Sequence, residues 1–365
     1  MKTEAATRQA GRGSDCAAGF VGPAHGAPDT VPRVVEDRPV VHNTQTAMTF
    51  ALRGRACRRR IARGAAVASV VAGFLAGVLA AAPVPGTVGR AAAQPAGDSP
   101  AGSLEVLPVA PVQGDTLTFI VHAAPGSTVA VSFNGSPLVV YGAGEGLWRA
   151  LRGTDPDTAT GSFPADVTIR PAGGAAVALR RMVAIGPTRF AERHLTLPTG
   201  TVALITPKNL AYEREALNTA LGRRTAKALW RGPFEIPVPG LIDSPYGYLG
   251  FYNGVREWWH QGVDFPMADG APVAAANSGI VVLARMLPLG GGTVVIDHGQ
   301  GVFTEYLHLS GFVAHEGQNV TQGEVIARIG STGLVTGPSL HWGLFAGGHW
   351  VNPLFWTILR PNLTE

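Results

Sequence analysis

The chain has 365 residues, of which 46% are hydrophobic and only 15% charged, and its 48 glycines and 28 prolines favour β structure with many turns. The formal net charge of +4 comes from residues 1–93, which hold 12 Lys and Arg against 5 Asp and Glu, whereas the remaining residues hold 17 against 20. The main body is thus slightly acidic, so we expect no nucleic-acid partner. The length predicts two domains with additional segments.

Residues 48–93 have the pattern of an export signal. Six arginines between Arg53 and Arg63 precede the apolar run 64–82, and three alanines before Gln94 form a small-residue cleavage site. We therefore predict a signal peptide that begins at Met48, with a non-native or disordered upstream extension at 1–47. An uncleaved membrane anchor at 64–82 is the alternative, because this run nearly reaches the length that spans a bilayer. Either way, the protein is expected to be exported to the cell envelope or beyond.

Both cysteines of the chain, Cys16 and Cys57, precede the predicted cleavage point. The mature protein would then have no disulfide and no thiolate metal site.

After a linker at 94–102, short strand-like runs recur about every ten residues as far as residue 186. Asn134-Gly135 between two of them is a hairpin signal. This spacing predicts an immunoglobulin-like β-sandwich at 103–186. The predicted strands are Thr116–Val121, Val129–Phe133, Leu138–Tyr141, Leu147–Leu151, Ala165–Arg170 and Val177–Ile185.

Residues 187–232 are predicted to be a linker that contains one helix, at 207–221. Thr206 is a suitable N-cap, Pro207 suits the first helical position, and Gly222 can end the helix.

Three motifs in residues 233–360 carry residues with metal-site chemistry: WWHQGVDFP, EYLHLSG and GPSLHWGLF. If each motif is a strand, His260 and Asp264 point to one face, about 13 Å apart along an extended backbone unless Gly262 introduces a kink. Ser339 and His341 would likewise share a face, as would Tyr306 and His308. Two imidazoles and one carboxylate leave a fourth position open on Zn²⁺, which is the hydrolytic pattern.

These motifs resemble those of the lysostaphin-type zinc endopeptidases, which act on bacterial cell walls. The family pattern is His-x-x-x-Asp, then Tyr-x-His-Leu-Ser, then Gly-Pro-His-Leu-His, and the likeness extends over roughly residues 233–357. The resemblance implies an antiparallel β catalytic domain, so that the whole protein is mainly β. It also implies a Zn²⁺ ion held by His260, Asp264 and His341, with His308 as a catalytic imidazole. Asn253 and Tyr306 are the expected substrate-binding residues.

One position departs from the family pattern. Ser339 stands where the family has its second catalytic His, and a hydroxyl does not act as a general base near neutral pH. Loss of one acid–base group costs about 10²–10⁴ in rate.

The sequence therefore predicts an exported, monomeric zinc endopeptidase that cuts peptide bonds of peptidoglycan, with Ser339 as a weakened catalytic position. A first alternative, favoured by Ser339, is a degenerate protein of the same fold that binds the wall or activates another hydrolase without cutting. A second alternative is a wall adhesin in which the sandwich at 103–186 binds.

Overall fold

The computed structural model describes residues 102–196, 198–252 and 255–358, all of which belong to one compact unit, Pro85–Glu365. The predicted upstream extension, signal or anchor, and nearly all of the 94–102 linker lie outside the described residues, as do both cysteines and Asn253. Among the residues that are described, no helix is both long and apolar enough to cross a membrane.

The first part of the described chain forms two four-stranded antiparallel sheets around a shared core. Phe119 of one sheet packs against Phe133 of the other, with ring centroids 5.7 Å apart. The strands are β1 (Gly102–Leu107), β2 (Thr116–Ala123), β3 (Thr128–Phe133), β4 (Ser136–Leu138), β5 (Val140–Gly144), β6 (Leu147–Gly153), β7 (Gly161–Arg170) and β8 (Val177–Ile185). Their order is β1-β2-β6-β5 in one sheet and β4-β3-β7-β8 in the other.

Two sequence predictions concern the segment between β3 and β5, and the structure confirms one of them. The hairpin at Asn134-Gly135 is confirmed: both residues have positive φ, 47° and 76°, as a two-residue turn of this kind requires. The single strand predicted at Leu138–Tyr141 is wrong. The chain instead crosses from one sheet to the other at Val139, whose side chain is exposed, so Leu138 ends β4 and Val140 begins β5.

A short strand, β9 (Glu192–Leu195), follows, and then two helices, α1 (Thr199–Val202) and α2 (Pro207–Leu221). Thr206 caps α2, since its hydroxyl oxygen accepts a hydrogen bond from Asn209 N at 3.1 Å. One side of α2 packs through Leu217, Ala220 and Leu221 onto Phe303 and Phe345 of the large sheet described next.

The remaining elements are β10 (Leu249–Tyr252), β11 (Val255–Trp259), β12 (Gly262–Pro266), β13 (Pro272–Ala274), β14 (Gly279–Leu287), β15 (Gly291–Gly299), β16 (Val302–Phe312), β17 (Asn319–Val320), β18 (Val325–Ile329), β19 (Ser339–Ala346), β20 (His349–Val351) and a 3₁₀ helix at Pro353–Trp356. Strands β12 to β20 form a large nine-stranded sheet whose main path runs β12-β19-β16-β15-β14-β17, and its strands pair antiparallel. A separate three-stranded sheet joins β9, β10 and β11, in which β9 runs parallel to β10. The protein is thus mainly β, as expected.

Hydrogen bonds join the two-sheet region directly to the large sheet. Asp155 accepts from His349 Nδ1 at 2.7 Å, and Thr116 Oγ1 accepts from Trp356 Nε1 at 3.0 Å. Buried Arg149 donates to the side chain of Gln300 at 3.2 Å. The two regions therefore share a polar, partly buried interface.

His298 is completely buried in the core beneath the large sheet. Its Nδ1 lies 2.8 Å from Ser278 O and its Nε2 lies 2.7 Å from Thr304 Oγ1. The bond to Ser278 reaches a carbonyl twenty residues away, so His298 connects distant parts of the core and does not serve a local turn. Burial lowers the pKa of His298 to about 4.

We expect His298 to make stability depend on pH. Its pKa is about 4 when folded and about 6.5 when unfolded, so its stabilising contribution is complete above pH 6.5 and is lost as the pH falls towards 4. Between pH 7 and 4.5, the linkage between protonation and folding makes this expected loss about 2 kcal/mol. His298→Gln, which does not titrate, should lose correspondingly less stability over that range in urea unfolding with chelator present. Equal pH slopes for the two proteins would contradict the assignment.

Candidate metal centre and substrate groove

Asp264 and His341 face each other across the pair of strands β12 and β19. The register places Asp264 directly opposite His341, and His341 Nδ1 lies 2.9 Å from Asp264 Oδ1. Gly262 makes this approach possible: a Cβ there would lie 2.7 Å from His341 Nε2 and 2.4 Å from Trp342 O. The glycine is therefore required by packing against the site.

His260 reaches the same point from outside the strand. Strand β12 begins only at Gly262, so the extended spacing considered for His260 and Asp264 does not occur, and His260 Nε2 lies 3.0 Å from Asp264 Oδ1. His260 N donates to Tyr248 O, and its Nδ1 lies 3.0 Å from Pro245 O. A proton on Nδ1 that bonds this carbonyl leaves Nε2 free as a ligand.

The three side chains form a compact donor set. His260 Nε2 is 3.0 Å from His341 Nδ1, and each nitrogen is within 3.0 Å of Asp264 Oδ1. Donor atoms about 2.0–2.2 Å from a tetrahedral Zn²⁺ are about 3.4 Å apart, so the set fits this ion after a small expansion. Within the described ranges, it is the one group of three or more His, Cys, Asp or Glu residues with this geometry.

The electrostatics of these three side chains favour a cation at this point. Burial disfavours the carboxylate of Asp264, but the charges and hydrogen bonds of the two imidazoles outweigh burial and hold its pKa well below the usual range. Burial lowers the pKa of His341; for His260 the same effect is outweighed by Asp264, which raises the pKa. The side chain of Asp264 is still 28% exposed, so the site is open on one side.

A bulge in β16 turns His308 towards the site. Leu309 pairs with Gly292 and Tyr306 with Val294, so two residues of β16, Leu307 and His308, oppose a single residue of β15. His308 has a φ of 66°, in the left-handed region that a residue with a side chain rarely adopts.

The surroundings of His308 leave one of its ring nitrogens available. His308 Nδ1 lies 2.9 Å from Thr332 O, and its ring centroid is 6.4 Å from that of His341. Burial, followed by the neighbouring His341, lowers the pKa of His308 to about 4. The imidazole is therefore neutral near pH 7, with Nε2 as an acceptor.

The bulge separates two residues that were predicted to share a face. Tyr306 lies on the opposite side of the sheet from His308 and is completely buried, and Ala276 N donates to its hydroxyl oxygen at 2.8 Å. The shared face is thus a wrong prediction, and Tyr306 does not line the groove. The other expected substrate-binding residue, Asn253, lies outside the described residues.

Ser339 shares a face of β19 with His341, as predicted, and both line the groove. Its hydroxyl donates to Phe265 O at 3.1 Å, and its backbone N–H donates to Gly330 O. The hydroxyl is thus engaged with the backbone of the neighbouring strand.

The metal centre opens into a groove of about 1040 Å³. Helix α2 contributes Glu213 and Leu217 to its wall, and the two-sheet region contributes Leu138 and Arg152. Sequence reasoning missed these four residues because they come from segments without metal-site motifs, and it missed Glu305 because nothing within the EYLHLSG motif indicates that this side chain faces the groove. Packing in three dimensions alone brings them to the site.

Glu213 also supports the loop that positions His308. Its carboxylate accepts hydrogen bonds from Leu289 N at 2.6 Å and Gly290 N at 3.0 Å, and Gly290 O accepts from His308 N at 2.8 Å. A chain of hydrogen bonds therefore connects α2 with the β16 bulge.

Comparison with known proteins agrees with this site. Residues 259–353 match the family model described as peptidase family M23. The chain therefore contains a peptidase M23 domain of the lysostaphin type, and the resemblance inferred from the three motifs is confirmed for this part of the chain.

Curated relatives cover the same region. The peptidoglycan DD-endopeptidase ShyA of Vibrio cholerae is 45% identical over 95 residues, which are 26% of this chain and 22% of that protein. The DD-carboxypeptidase/endopeptidase Mpg of Neisseria meningitidis is 40% identical over 139 residues, which are 37% of this chain and 32% of that protein. The chain thus matches between about a fifth and a third of the length of these relatives.

Among solved structures, the catalytic domain of lysostaphin from Staphylococcus simulans aligns with 31% identity and a TM-score of 0.30. The alignment covers 32% of this chain and 92% of that chain.

The ligand assignment predicts different effects of two histidine substitutions on zinc content. His341→Ala removes one of three donors and should lower zinc occupancy strongly, whereas His308→Ala should leave occupancy near normal because its ring is not a donor. Metal analysis of the purified variants after dialysis measures both. Equal occupancy in the two variants would show that the ligand and the catalytic imidazole are misassigned.

Tyr306→Phe should affect stability and not substrate binding. The change leaves the buried Ala276 N–H without an acceptor, which costs about 1–3 kcal/mol of unfolding free energy. The KM for peptidoglycan fragments should stay unchanged, because the ring is not exposed. A raised KM with unchanged stability would restore Tyr306 as a substrate-binding residue.

Proposed function

We propose that this protein is an exported zinc metalloendopeptidase that hydrolyses peptide bonds in bacterial peptidoglycan. The observation that carries the proposal is the convergence of His260, Asp264 and His341 within 3.0 Å of one another at the floor of an open groove. Support comes from the M23 domain and from relatives named as DD-endopeptidases.

Three residues that line the groove would hold the metal. His260 and His341 offer neutral imidazole nitrogens, and Asp264 offers one carboxylate oxygen. Zn²⁺ bound there supplies Lewis acidity, which polarises a scissile carbonyl and makes a water molecule acidic near neutral pH.

His308 is placed to assist the reaction from the same side. Because its Nδ1 bonds Thr332 O, its Nε2 faces the site as an acceptor that orients an attacking water or takes its proton. The bulge fixes the ring without a flexible loop, which favours a preorganised geometry.

Ser339 would contribute less than an imidazole at the same position. Its hydroxyl proton is donated to Phe265 O, so the side chain offers only a lone pair to the groove. It neither accepts a proton near neutral pH nor presents a positive charge to a developing oxyanion. The proposal is therefore an enzyme with a slow chemical step.

The full-length, zinc-loaded protein incubated with purified sacculi tests the proposed function. We expect soluble fragments whose masses correspond to cleavage of peptide bonds, and no release from a metal-free or His341→Ala sample. Intact glycan–peptide material after prolonged incubation would contradict the peptidase proposal.

The same assay addresses the second candidate, a degenerate protein that binds the wall without cutting. The engaged hydroxyl of Ser339 is the observation that favours it. The set of three donors argues against it, because structural zinc sites normally have four protein ligands and hydrolytic sites have three. Co-sedimentation with sacculi in the absence of any cleavage would support this candidate.

Ser339→His should raise turnover, by up to about 10²-fold if acid–base assistance is the missing contribution. Position 339 faces the groove two residues before His341, so the new imidazole would lie on the substrate side of the metal. Initial rates on sacculi at equal zinc loading measure the effect, with Ser339→Asn as a matched control that adds volume without a titratable group. A fall in rate with His would show that Ser339 belongs to a working site of a different arrangement.

A further inference from the structure

Glu305 lies on the floor of the groove beside the metal centre. On β16, Glu305 pairs with Gly343 of β19, and the next groove-facing residue, Leu307, pairs with His341. Residues diagonal to each other across such a pair lie about 7–8 Å apart. Glu305 is therefore a close neighbour of the ligand His341 on the same face of the sheet, and it lines the groove.

The carboxyl group of Glu305 is buried without a partner. The residue is 3% exposed, and its Oε1 makes no hydrogen bond. Four arginines line the same groove, yet within the described part of the chain no cation pairs with Glu305. These arginines are Arg152, Arg193, Arg214 and Arg224. A buried acceptor without a donor costs free energy, so a function that uses it is expected.

The second carboxylate of the groove, Glu213 of α2, adds negative charge at this place. Its oxygens are held by Leu289 N and Gly290 N, which fix the side chain against the loop. Burial and then the charge of Glu213 raise the pKa of Glu305 to about 8. A cation in contact with Glu305 would relieve both effects.

The surroundings of Glu305 restrict the shape of a suitable ligand. Leu217 of α2, Leu307 and Phe303 of β16, and Phe345 of β19 line the same groove and provide apolar surface. A ligand that fits must combine an aliphatic stem with a compact group that donates several hydrogen bonds. A primary ammonium on an alkyl chain has this composition.

We propose that Glu305 forms a subsite that binds the free primary amine of a diamino-acid residue in the substrate peptide. The ammonium donates to Glu305 while its methylene chain lies against the apolar wall, and Glu213 increases the attraction. The inference rests on the proposed function for the substrate class. It assigns to the groove a selectivity for peptides with an unblocked side-chain amine.

Equilibrium binding by metal-free protein tests the subsite without any cleavage. The probes are soluble muropeptides whose diamino acid carries a free amine, and the same muropeptides after acetylation of that amine. Calorimetric titration of the full chain should show binding to the free-amine probe about tenfold tighter than to the acetylated probe, as expected for one charge-assisted hydrogen bond. Glu305→Gln keeps the shape of the side chain but cannot become a carboxylate when the ammonium binds, and should reduce the difference to about twofold or less.

Glu215→Gln is the matched control. Glu215 lies on the exposed side of α2, two residues from Glu213, and its substitution should leave the preference unchanged. Thermal unfolding confirms that each variant is folded. Equal affinity of the wild type for the two probes, undetectable binding of both, or a preference that persists in Glu305→Gln would overturn the proposed subsite.

The subsite and the peptidase activity can fail separately. If the protein prefers the free-amine probe but leaves sacculi uncut, the result would support the subsite and contradict the peptidase activity. Cleavage of sacculi together with equal binding of the two probes would support the peptidase and overturn the subsite.

Discussion

The site depends first on the antiparallel pairing of β12 and β19. Their register sets Asp264 opposite His341, and the absence of a side chain at Gly262 lets the imidazole lie against the neighbouring backbone. A shift of one residue would turn Asp264 to the core side of the sheet, where Val263 and Phe265 now pack. The hydrophobic alternation of β12 therefore fixes the metal centre as firmly as it fixes the core.

The two groove-facing positions beside the His260-Asp264-His341 cluster differ in their hydrogen bonds. One ring nitrogen of His308 bonds Thr332 O and the other is left available, whereas the single donor of Ser339 is engaged with Phe265 O. His260 and His341 both bond one oxygen of Asp264. Under the proposed function, acid–base assistance would therefore come from the His308 side alone.

Sequence patterns predict those parts of this structure that depend on residues close together in the sequence. The capped helix at Pro207–Leu221 and the Asn134-Gly135 hairpin have local signals, and the order of the three motifs indicates the M23 domain. Strict alternation fails at His308, because a bulge inserts one residue and reverses the faces, which places Tyr306 in the core. The buried Glu305 has no local signal either, since its surroundings come from α2 and β19, distant in sequence.

The contacts between the two-sheet region and the large sheet have a consequence for the order of folding. Two residues that follow His341 form hydrogen bonds with residues more than two hundred positions earlier in the chain. Asn352 N donates to Gly114 O, and Trp356 Nε1 donates to Thr116 Oγ1. Domains generally fold N-terminal first during synthesis, so we expect the two-sheet region to fold before β20 is synthesised. The strand next to β19 would then form against this region, and defects in the core of the two-sheet region would displace that edge of the large sheet.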